Sequence, residues 1–168
     1  MLVADALYTF RIEARNLVGY SDFSSELVVR AAAKPNTPAA PLTLVLSNTG
    51  LVITWVAPFN GGSPITSYTV KVRHKDSTTF STELTNCDGS NAGIVSATSC
   101  TIPIEVLLAA PFNLPWGSSI FATVQATNIV NSSGVSTVGI SAIILTNPDA
   151  PVNLANVASE TDVNKIRI

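Results

Sequence analysis

The residues that could carry out acid–base chemistry lie around the single histidine of the chain. His74 is followed by Lys75, Asp76 and Ser77 in a polar stretch. A general base needs a nucleophile within hydrogen-bonding reach and an acid that orients its imidazole. Asp76 is close to His74 in sequence, but no strained turn presents a nucleophile beside them. We therefore interpret this stretch as a solvated turn and predict that the protein is not an enzyme.

Two cysteines offer a second kind of chemistry. Cys87 and Cys100 bracket the Gly-rich stretch 88–93. A disulfide between them would close a loop of about 14 residues and stabilise the fold by about 3 kcal/mol. The alternative is a pair of free thiols at strand edges. The stretch 88–91 resembles the start of a calcium loop but lacks the later acidic ligands, and no acidic or histidine cluster completes a metal site. We predict a disulfide and no cofactor.

A third candidate is a site of covalent modification. Asn131-Ser132-Ser133 matches the acceptor pattern for N-linked glycosylation. Such a tripeptide also arises by chance in a chain rich in serine and asparagine. Because the pattern lies in a polar stretch that we expect to be an exposed turn, we predict a glycan at Asn131.

Strands must position these residues, and the clearest pair of strands flanks the turn 57–64. Apolar residues occupy every second position in 51–55 and again in 68–72. This alternation is typical of strands with one buried face. The proline, asparagine and glycines between them favour a tight turn. Trp55 lies on the first of these strands and Tyr68 on the second, and we predict that both belong to the core of a β-sandwich.

This arrangement of Trp55, a Pro- and Gly-rich turn and Tyr68 resembles the B strand, B–C loop and C strand of a fibronectin type III domain. A second stretch, 7–16, resembles the F strand of the same family. Leu2 lies six residues before Tyr8, a spacing that fits the family's tyrosine corner. The resemblance implies an all-β, seven-stranded, immunoglobulin-like sandwich in which Tyr8 is a core residue.

The sequence also repeats itself. Tyr8 aligns with Ile120 and Asn16 with Asn128 at an offset of 112 residues, and a stretch beginning at Pro38 recurs 110 residues later. Replacement of Tyr8 by Ile120 removes the tyrosine corner from the second copy. Asn16 and the next glycine are three residues apart, whereas Asn128 and its next glycine are six apart, which predicts three extra residues in the second F–G loop.

The repeats predict three units. Residues 1–33 are the F and G strands of one domain, residues 34–147 are a complete domain with an insertion at 86–98, and residues 148–168 are the A and B strands of a third. The partial units are explained either by a longer tandem array or by neighbouring chains that complete them. Prolines make the linker 34–41 stiff. In the middle domain we expect strands A (42–46), B (51–56), C (65–73), C′ (79–85), E (100–106), F (119–128) and G (135–145).

Three aromatic residues of the middle domain are candidates for an interface. Phe121 falls on the outward face of the predicted F strand, and Phe112 and Trp116 lie in the E–F connection. Such residues often only cover the end of a domain. The alternative is a contact between domains or between chains.

Composition and resemblance together lead to a functional hypothesis. The net charge is −2 and charged residues make up 12% of the chain, so nothing favours nucleic acid or an anionic membrane. No run of apolar residues is long enough to span a bilayer. The resemblance implies an extracellular or cell-surface structural and adhesive module, with neighbouring domains or copies of itself as partners, able to build a glycosylated filament. The alternatives are a module that recognises protein or glycan ligands, an accessory module of a secreted polysaccharide-degrading enzyme, and an intracellular cytoskeletal array.

Overall fold

The computed structural model describes residues 1–46, 49–139, 142–145 and 155. The predicted third unit, 148–168, lies outside these residues except for Ala155. In chain order the elements are β1 (Leu7–Phe10), β2 (Leu27–Arg30), β3 (Leu42–Leu46), β4 (Gly50–Thr54), β5 (Ile65–Arg73), β6 (Phe80–Ser81), α1 (Ala92–Ala97), β7 (Ser99–Pro103), α2 (Ile104–Leu108), β8 (Ser119–Ile120), β9 (Ala122–Asn128) and β10 (Ala142–Ile143).

The first unit is an antiparallel hairpin of β1 and β2. The backbone N–H of Val3 donates to the Tyr8 hydroxyl at 2.8 Å, which is the tether that the Leu2–Tyr8 spacing predicted. The face that the sequence pattern marks as apolar is not a core here. Tyr8 is half-buried, Phe10 is 51% exposed and Ile12 is 75% exposed. The reason is that, within the described residues, no second sheet packs against this hairpin.

The middle unit is a sandwich of two three-stranded antiparallel sheets. One sheet has the order β3-β4-β7 and the other β6-β5-β9. In β4 and β5 the burial follows the predicted alternation, and both Trp55 and Tyr68 are buried. The chain is therefore an all-β protein, and its core is formed by the facing sides of the two sheets. The core residues include Leu51, Ile53, Trp55, Tyr68, Val70, Val72, Cys87, Cys100, Ile102, Ile104, Leu107, Phe112, Leu114, Ile120, Ala122, Val124, Ala126 and Ile144.

Two helices lie where the sequence predicted the end of the E strand and an insertion. The predicted E strand ends at Pro103, and α2 follows it directly. Ile104 and Leu107 are three residues apart and both are buried, which is the spacing of one helical face rather than of a strand. The insertion carries α1, whose first turn is capped by the Asn91 side chain, which accepts from the N–H of Gly93. The predicted C′ strand shortens to β6.

The predicted F strand divides at Phe121. Among the described residues of the predicted G strand, the regular part is β10, which pairs with β8. Between Ser133 and Ser136 the chain still runs beside β9. The N–H of each serine donates to a carbonyl of β9, and each serine hydroxyl accepts from the N–H of the same β9 residue. Three residues of this segment span two residues of β9, so a regular ladder cannot form. The pairs are Ser133 with Ala126 and Ser136 with Val124.

The same arrangement occurs in the first unit and corrects the predicted loop extension. Asn16 N–H donates to the carbonyl of Gly19, and Asn128 N–H donates to the carbonyl of Asn131. Asn131 is thus the equivalent of Gly19, at the unchanged offset of 112. The prediction of three extra residues was wrong, because it aligned Gly19 with the next glycine in the second copy. The serines of the first unit follow the same register, with Ser21 on Ala14 and Ser24 on Ile12.

Candidate interdomain junction

Two glycines of the B–C loop allow the first and middle units to touch. Gly61 and Gly62 have φ of +74° and +86°, a region that residues with side chains seldom adopt. A Cβ on Gly61 would lie 2.3 Å from the carbonyl oxygen of Ala33, and one on Gly62 would lie 2.7 Å from that of Ala31. Glycine is therefore required both by the turn and by the close approach of another backbone.

Backbone hydrogen bonds join the B–C loop to the segment that follows β2. The N–H of Ala33 donates to the Gly61 carbonyl at 2.8 Å, and the N–H of Asn36 donates to the Phe59 carbonyl at 2.9 Å. The segment between the units is thus paired to the middle unit along its length.

The Asn128 side chain completes this junction. Its Nδ2 donates to the carbonyl of Ala33 at 2.7 Å and to that of Asn60 at 2.8 Å. Its Oδ1 accepts from the N–H groups of Val130 and Asn131 at 2.9 and 3.1 Å. Asn128 is 4% exposed, and its carboxamide makes four hydrogen bonds, the number it is able to make. One side chain therefore holds the B–C loop, the F–G turn and the interdomain segment together.

The Pro-rich linker also packs against the middle unit. Pro35, Pro38 and Pro41 are buried. A Cβ on Gly139 would lie 1.9 Å from the carbonyl oxygen of Pro41, so the linker lies directly against the segment that follows Ser136. The stiffness predicted for residues 34–41 is reinforced by this contact. We define the interdomain junction as residues 31–36, 59–62 and Asn128.

The insertion is held to both sheets at the end of the sandwich that carries the B–C loop. Cys87 and Cys100 form a buried disulfide with a Cα–Cα distance of 5.2 Å. The N–H of Tyr68 donates to the Gly89 carbonyl at 2.9 Å, and the N–H of Trp55 donates to the Thr98 carbonyl at 3.0 Å. The insertion therefore bridges β5 and the end of β4, and the disulfide closes its base.

Trp55 and Tyr68, both predicted to belong to the core, have their rings in contact. Their ring centroids are 5.1 Å apart in an edge-to-face arrangement, a favourable geometry for aromatic pairs. Burial raises the pKa of the Tyr68 hydroxyl. This pair lies between the two sheets, next to the insertion, and is part of the core rather than of a ligand site.

The three candidate interface aromatics have different environments. Phe112 is 1% exposed, with its ring edge-on to His74 at 5.4 Å between centroids, so its assignment to a surface interface was wrong. The segment after α2 folds back, and the N–H of Lys75 donates to the Phe112 carbonyl at 2.9 Å. Trp116 is 47% exposed. Phe121 is half-buried, with the Arg73 guanidinium 3.7 Å above its ring centroid.

The polar stretch after β5 is a turn. The N–H groups of Thr78 and Thr79 and the Thr79 hydroxyl donate to the Asp76 carboxylate. These bonds, led by the Thr79 hydroxyl, lower the pKa of Asp76 from 3.8 to about 2. Because the folded-state pKa is lowered, the stability that Asp76 contributes is present above pH 3.8 and is lost as the pH falls towards 2. Among the described residues, no group of three or more His, Cys, Asp or Glu side chains is placed to hold a metal ion.

Asn131 lies in the exposed part of the F–G turn. Its Oδ1 accepts from the N–H of Ser132 at 2.7 Å, and its side chain faces outward from the sandwich. Ser133, the third residue of the acceptor pattern, is buried against β9 in the folded chain. A glycan at Asn131 remains a prediction.

The sequence predicted only part of the junction. Asn60, Gly61 and Gly62 were recognised as a turn, but the positive φ at both glycines already accounts for them, so their types gave no signal of the close contact with Ala31 and Ala33. Asn128 was recognised as the counterpart of Asn16 in the repeat. Its role at the junction could not be predicted, because two of its four partners, the carbonyls of Ala33 and Asn60, belong to distant parts of the chain.

Part of the sequence is similar to a known protein. No protein-family model matches the sequence. Over 81 residues, which are 45% of this chain, the sequence is 42% identical to the M-protein of striated muscle from Gallus gallus. The chain spans 6% of the length of that protein.

Solved structures identify the fold. The chain is similar to the crystal structure of domains A168–A170 of titin, with a TM-score of 0.51 and 21% identity over 84% of this chain and 41% of that one. It is also similar to the sixth fibronectin type III domain of human fibronectin type III domain containing protein 3, with a TM-score of 0.50 and 16% identity over 72% of this chain and 97% of that one. The class is thus the immunoglobulin-like β-sandwich. Within that class, the fold is that of fibronectin type III domains.

The titin structure contains several domains in series, as the internal repeat of this chain suggests for its own organisation. Of the helices that the structure describes, none is long and apolar enough to span a membrane.

Proposed function

We propose that the chain is a non-enzymatic structural part of a tandem-repeat protein in which neighbouring domains keep a fixed orientation. The observation that carries this proposal is the Asn128 carboxamide, which binds the interdomain segment and the B–C loop at once. A tether between independent domains would need no such contact, since relative motion is the default for domains joined by a linker. The likeness to a muscle protein and to domains in series supports the same function.

A fixed junction that recurs between successive domains makes an extended, semi-rigid rod. Residues 1–33 and 34–147 are proposed as two successive units of this rod, and residues 148–168 as the start of the next. The partners are then neighbouring domains of the same array. An end-to-end contact that does not close into a ring would extend such a rod into a filament.

Replacing Asn128 with alanine is expected to loosen the junction. The carbonyls of Ala33 and Asn60 lose their donor, and a buried group left without a partner costs about 1–3 kcal/mol. We expect the amide hydrogens of Ala33 and Asn36 to exchange with solvent at least about tenfold faster than in the unchanged chain, since 1.4 kcal/mol corresponds to a factor of ten. Hydrogen exchange followed by NMR measures this directly.

Asn16→Ala is the matched control for this experiment. Asn16 occupies the equivalent turn in the first unit, and its Oδ1 accepts from the N–H groups of Val18 and Gly19 in the same way. The Asn16→Ala variant removes the turn bonds of the first unit and leaves the junction unchanged, so hydrogen exchange at the Ala33 amide should not change. Equal effects of the two variants at Ala33, or fast exchange there in the unchanged chain, would contradict a fixed junction.

We further propose that the protein functions outside the cell, as a glycoprotein of the cell surface or matrix. The support is the buried disulfide, since such bonds persist mainly in oxidising compartments, and the exposed acceptor residue Asn131. The likeness to M-protein favours a second setting, a structural array of muscle. The junction is the same in both settings. They differ in whether Cys87 and Cys100 are bonded and in whether Asn131 carries a glycan.

Native material is expected to distinguish the two settings. Outside the cell, Cys87 and Cys100 should resist alkylation until a reductant is added, and an N-glycosidase should lower the mass of the peptide that contains Asn131. Mass spectrometry of the digested protein reports both. Cysteines that are alkylated without reduction, together with an unmodified Asn131, would overturn the extracellular assignment and leave the muscle-type array.

A further inference from the structure

The outward face of the sheet β6-β5-β9 carries a row of three side chains that the core does not use. Arg73 of β5 pairs in register with Phe80 of β6. On its other side, the Arg73 N–H donates to the carbonyl of Phe121, which lies next to β9, at 2.9 Å. Residues opposite one another on neighbouring strands point to the same face. Arg73 therefore lies between two half-buried phenylalanines on the surface of the sheet.

The guanidinium of Arg73 is held in a defined orientation. Its central carbon lies 3.7 Å from the centroid of the Phe121 ring, a stacking distance at which the ring attracts the cation. Stacking occupies the flat face of the guanidinium and leaves the N–H groups in its plane able to bind an oxyanion with two parallel hydrogen bonds.

The positive charge of the middle unit is concentrated at this place. Lys71 precedes Arg73 on the same face, about 7 Å away for alternate residues of a strand, and the exposed Lys75 follows it. Of the four Lys and Arg residues in 34–145, these are three, and Lys34 is the fourth. Short segments rich in Lys and Arg are a known pattern of polyanion binding.

Nearby acidic side chains do not pair with Lys71, Arg73 or Lys75. Within the described part of the chain, the ion pairs join Arg11 to Glu26 and Arg30 to Asp5, both in the first unit. Asp76, the nearest acid in sequence, directs its carboxylate to Thr78 and Thr79 of its own turn. The cations of β5 thus face solvent without an acidic partner.

We propose that Lys71, Arg73 and Lys75, with Phe80 and Phe121, form a binding site for a sulfated polysaccharide. Sulfate groups match the spaced cations and the planar fork of Arg73. The flat C–H faces of sugar rings match the exposed part of Phe80, since the guanidinium covers the ring of Phe121. An acidic polypeptide would satisfy the charges but would make no specific use of the two phenylalanines. This site is distinct from the interdomain junction and does not depend on it.

The test measures binding of a size-defined heparin oligosaccharide to the full 168-residue chain by isothermal titration calorimetry at several salt concentrations. We expect binding that weakens as salt rises. Arg73→Gln should weaken it about tenfold, the loss that follows from removing a charge-assisted hydrogen-bonded pair. Arg15→Gln is the matched control, since it makes the same Arg-to-Gln change at an exposed position of the first unit, away from Lys71, Arg73 and Lys75, and should leave affinity within about twofold.

The Phe121→Leu variant tests whether binding requires a positioned guanidinium or only an excess of positive charge. It keeps the charge and an apolar side chain but removes the ring under Arg73, and we expect weaker binding of heparin with an unchanged circular dichroism spectrum. Arg73→Lys, which keeps the charge without the planar fork, should also bind more weakly than the unchanged chain.

Three outcomes would overturn the proposal. They are the absence of heparin binding at low salt, equal effects of Arg73→Gln and Arg15→Gln, and binding of polyglutamate as tight as that of heparin. The last would assign the row to an acidic polypeptide instead. Binding to heparin that exceeds binding to polyglutamate and to phosphatidylserine vesicles, and that depends on both Arg73 and Phe121, would support it.

Discussion

Phe112→Ala is expected to lower the free energy of unfolding by about 3–5 kcal/mol, the usual cost of removing a buried phenylalanine ring. Phe112 is 1% exposed and lies edge-on to His74 with 5.4 Å between ring centroids. Removing the ring leaves a cavity under the turn that follows β5, because the Phe112 backbone remains tied to the N–H of Lys75. Equilibrium unfolding in guanidinium chloride, followed by tryptophan fluorescence, measures the loss.

Trp116→Ala is the control for Phe112, since both residues lie in the same connection between α2 and β8. Trp116 is 47% exposed, and substitutions of exposed residues usually change stability by no more than about 0.5 kcal/mol. Circular dichroism replaces fluorescence for this variant, which loses one of the two tryptophans. Similar losses for the two variants would contradict the burial of Phe112 described here.

Replacing both cysteines with alanine is expected to cost about 3 kcal/mol of stability, because the bridge closes a loop of about 14 residues in the unfolded chain. The insertion should also detach from β5, where the Gly89 carbonyl accepts from the N–H of Tyr68. We therefore expect the midpoint of unfolding to fall and the Tyr68 amide hydrogen to exchange faster. Chemical denaturation and hydrogen exchange measure the two effects.

Reduction of the unchanged chain provides the control for this second prediction. A thiol reductant should lower the stability of the unchanged chain towards that of the Cys87→Ala/Cys100→Ala variant and should leave the variant itself unaffected. If the double variant unfolded at the same denaturant concentration as the oxidised chain, the insertion would be held by its hydrogen bonds alone.

The parts of the fold that follow a simple period were predictable from the sequence. Strands β4 and β5 show strict alternation, and the burial of Trp55 and Tyr68 follows from it, whereas their ring contact depends on how the two sheets pack. The helix α2 was missed because Ile104 and Val106 continue the alternation of apolar residues that begins with Cys100 and Ile102. Only the buried faces reveal that the period changes at Pro103.

Other features depend on contacts between distant parts of the chain. The burial of Phe112 requires that the connection after α2 fold back under His74, which no local pattern indicates. The junction requires Asn128 to meet Ala33 and Asn60, which are 95 and 68 residues away. The F–G turn was misaligned because the glycine of the first copy is replaced by Asn131 in the second, while the serine pairing that fixes the register depends on the three-dimensional path.

The packed linker has a consequence for the response of the molecule to mechanical load. Tension applied along an array enters the middle domain through Pro35 to Pro41, which contact the segment after β9 at Gly134 and Gly139. These seven residues span at most about 25 Å when fully extended. Because these residues belong to neither of the sheets β3-β4-β7 and β6-β5-β9, we expect them to separate from the surface of the sandwich under load while both sheets stay intact. Each domain would thus lengthen under moderate force by releasing this segment and shorten again when the force is removed, before its core is exposed.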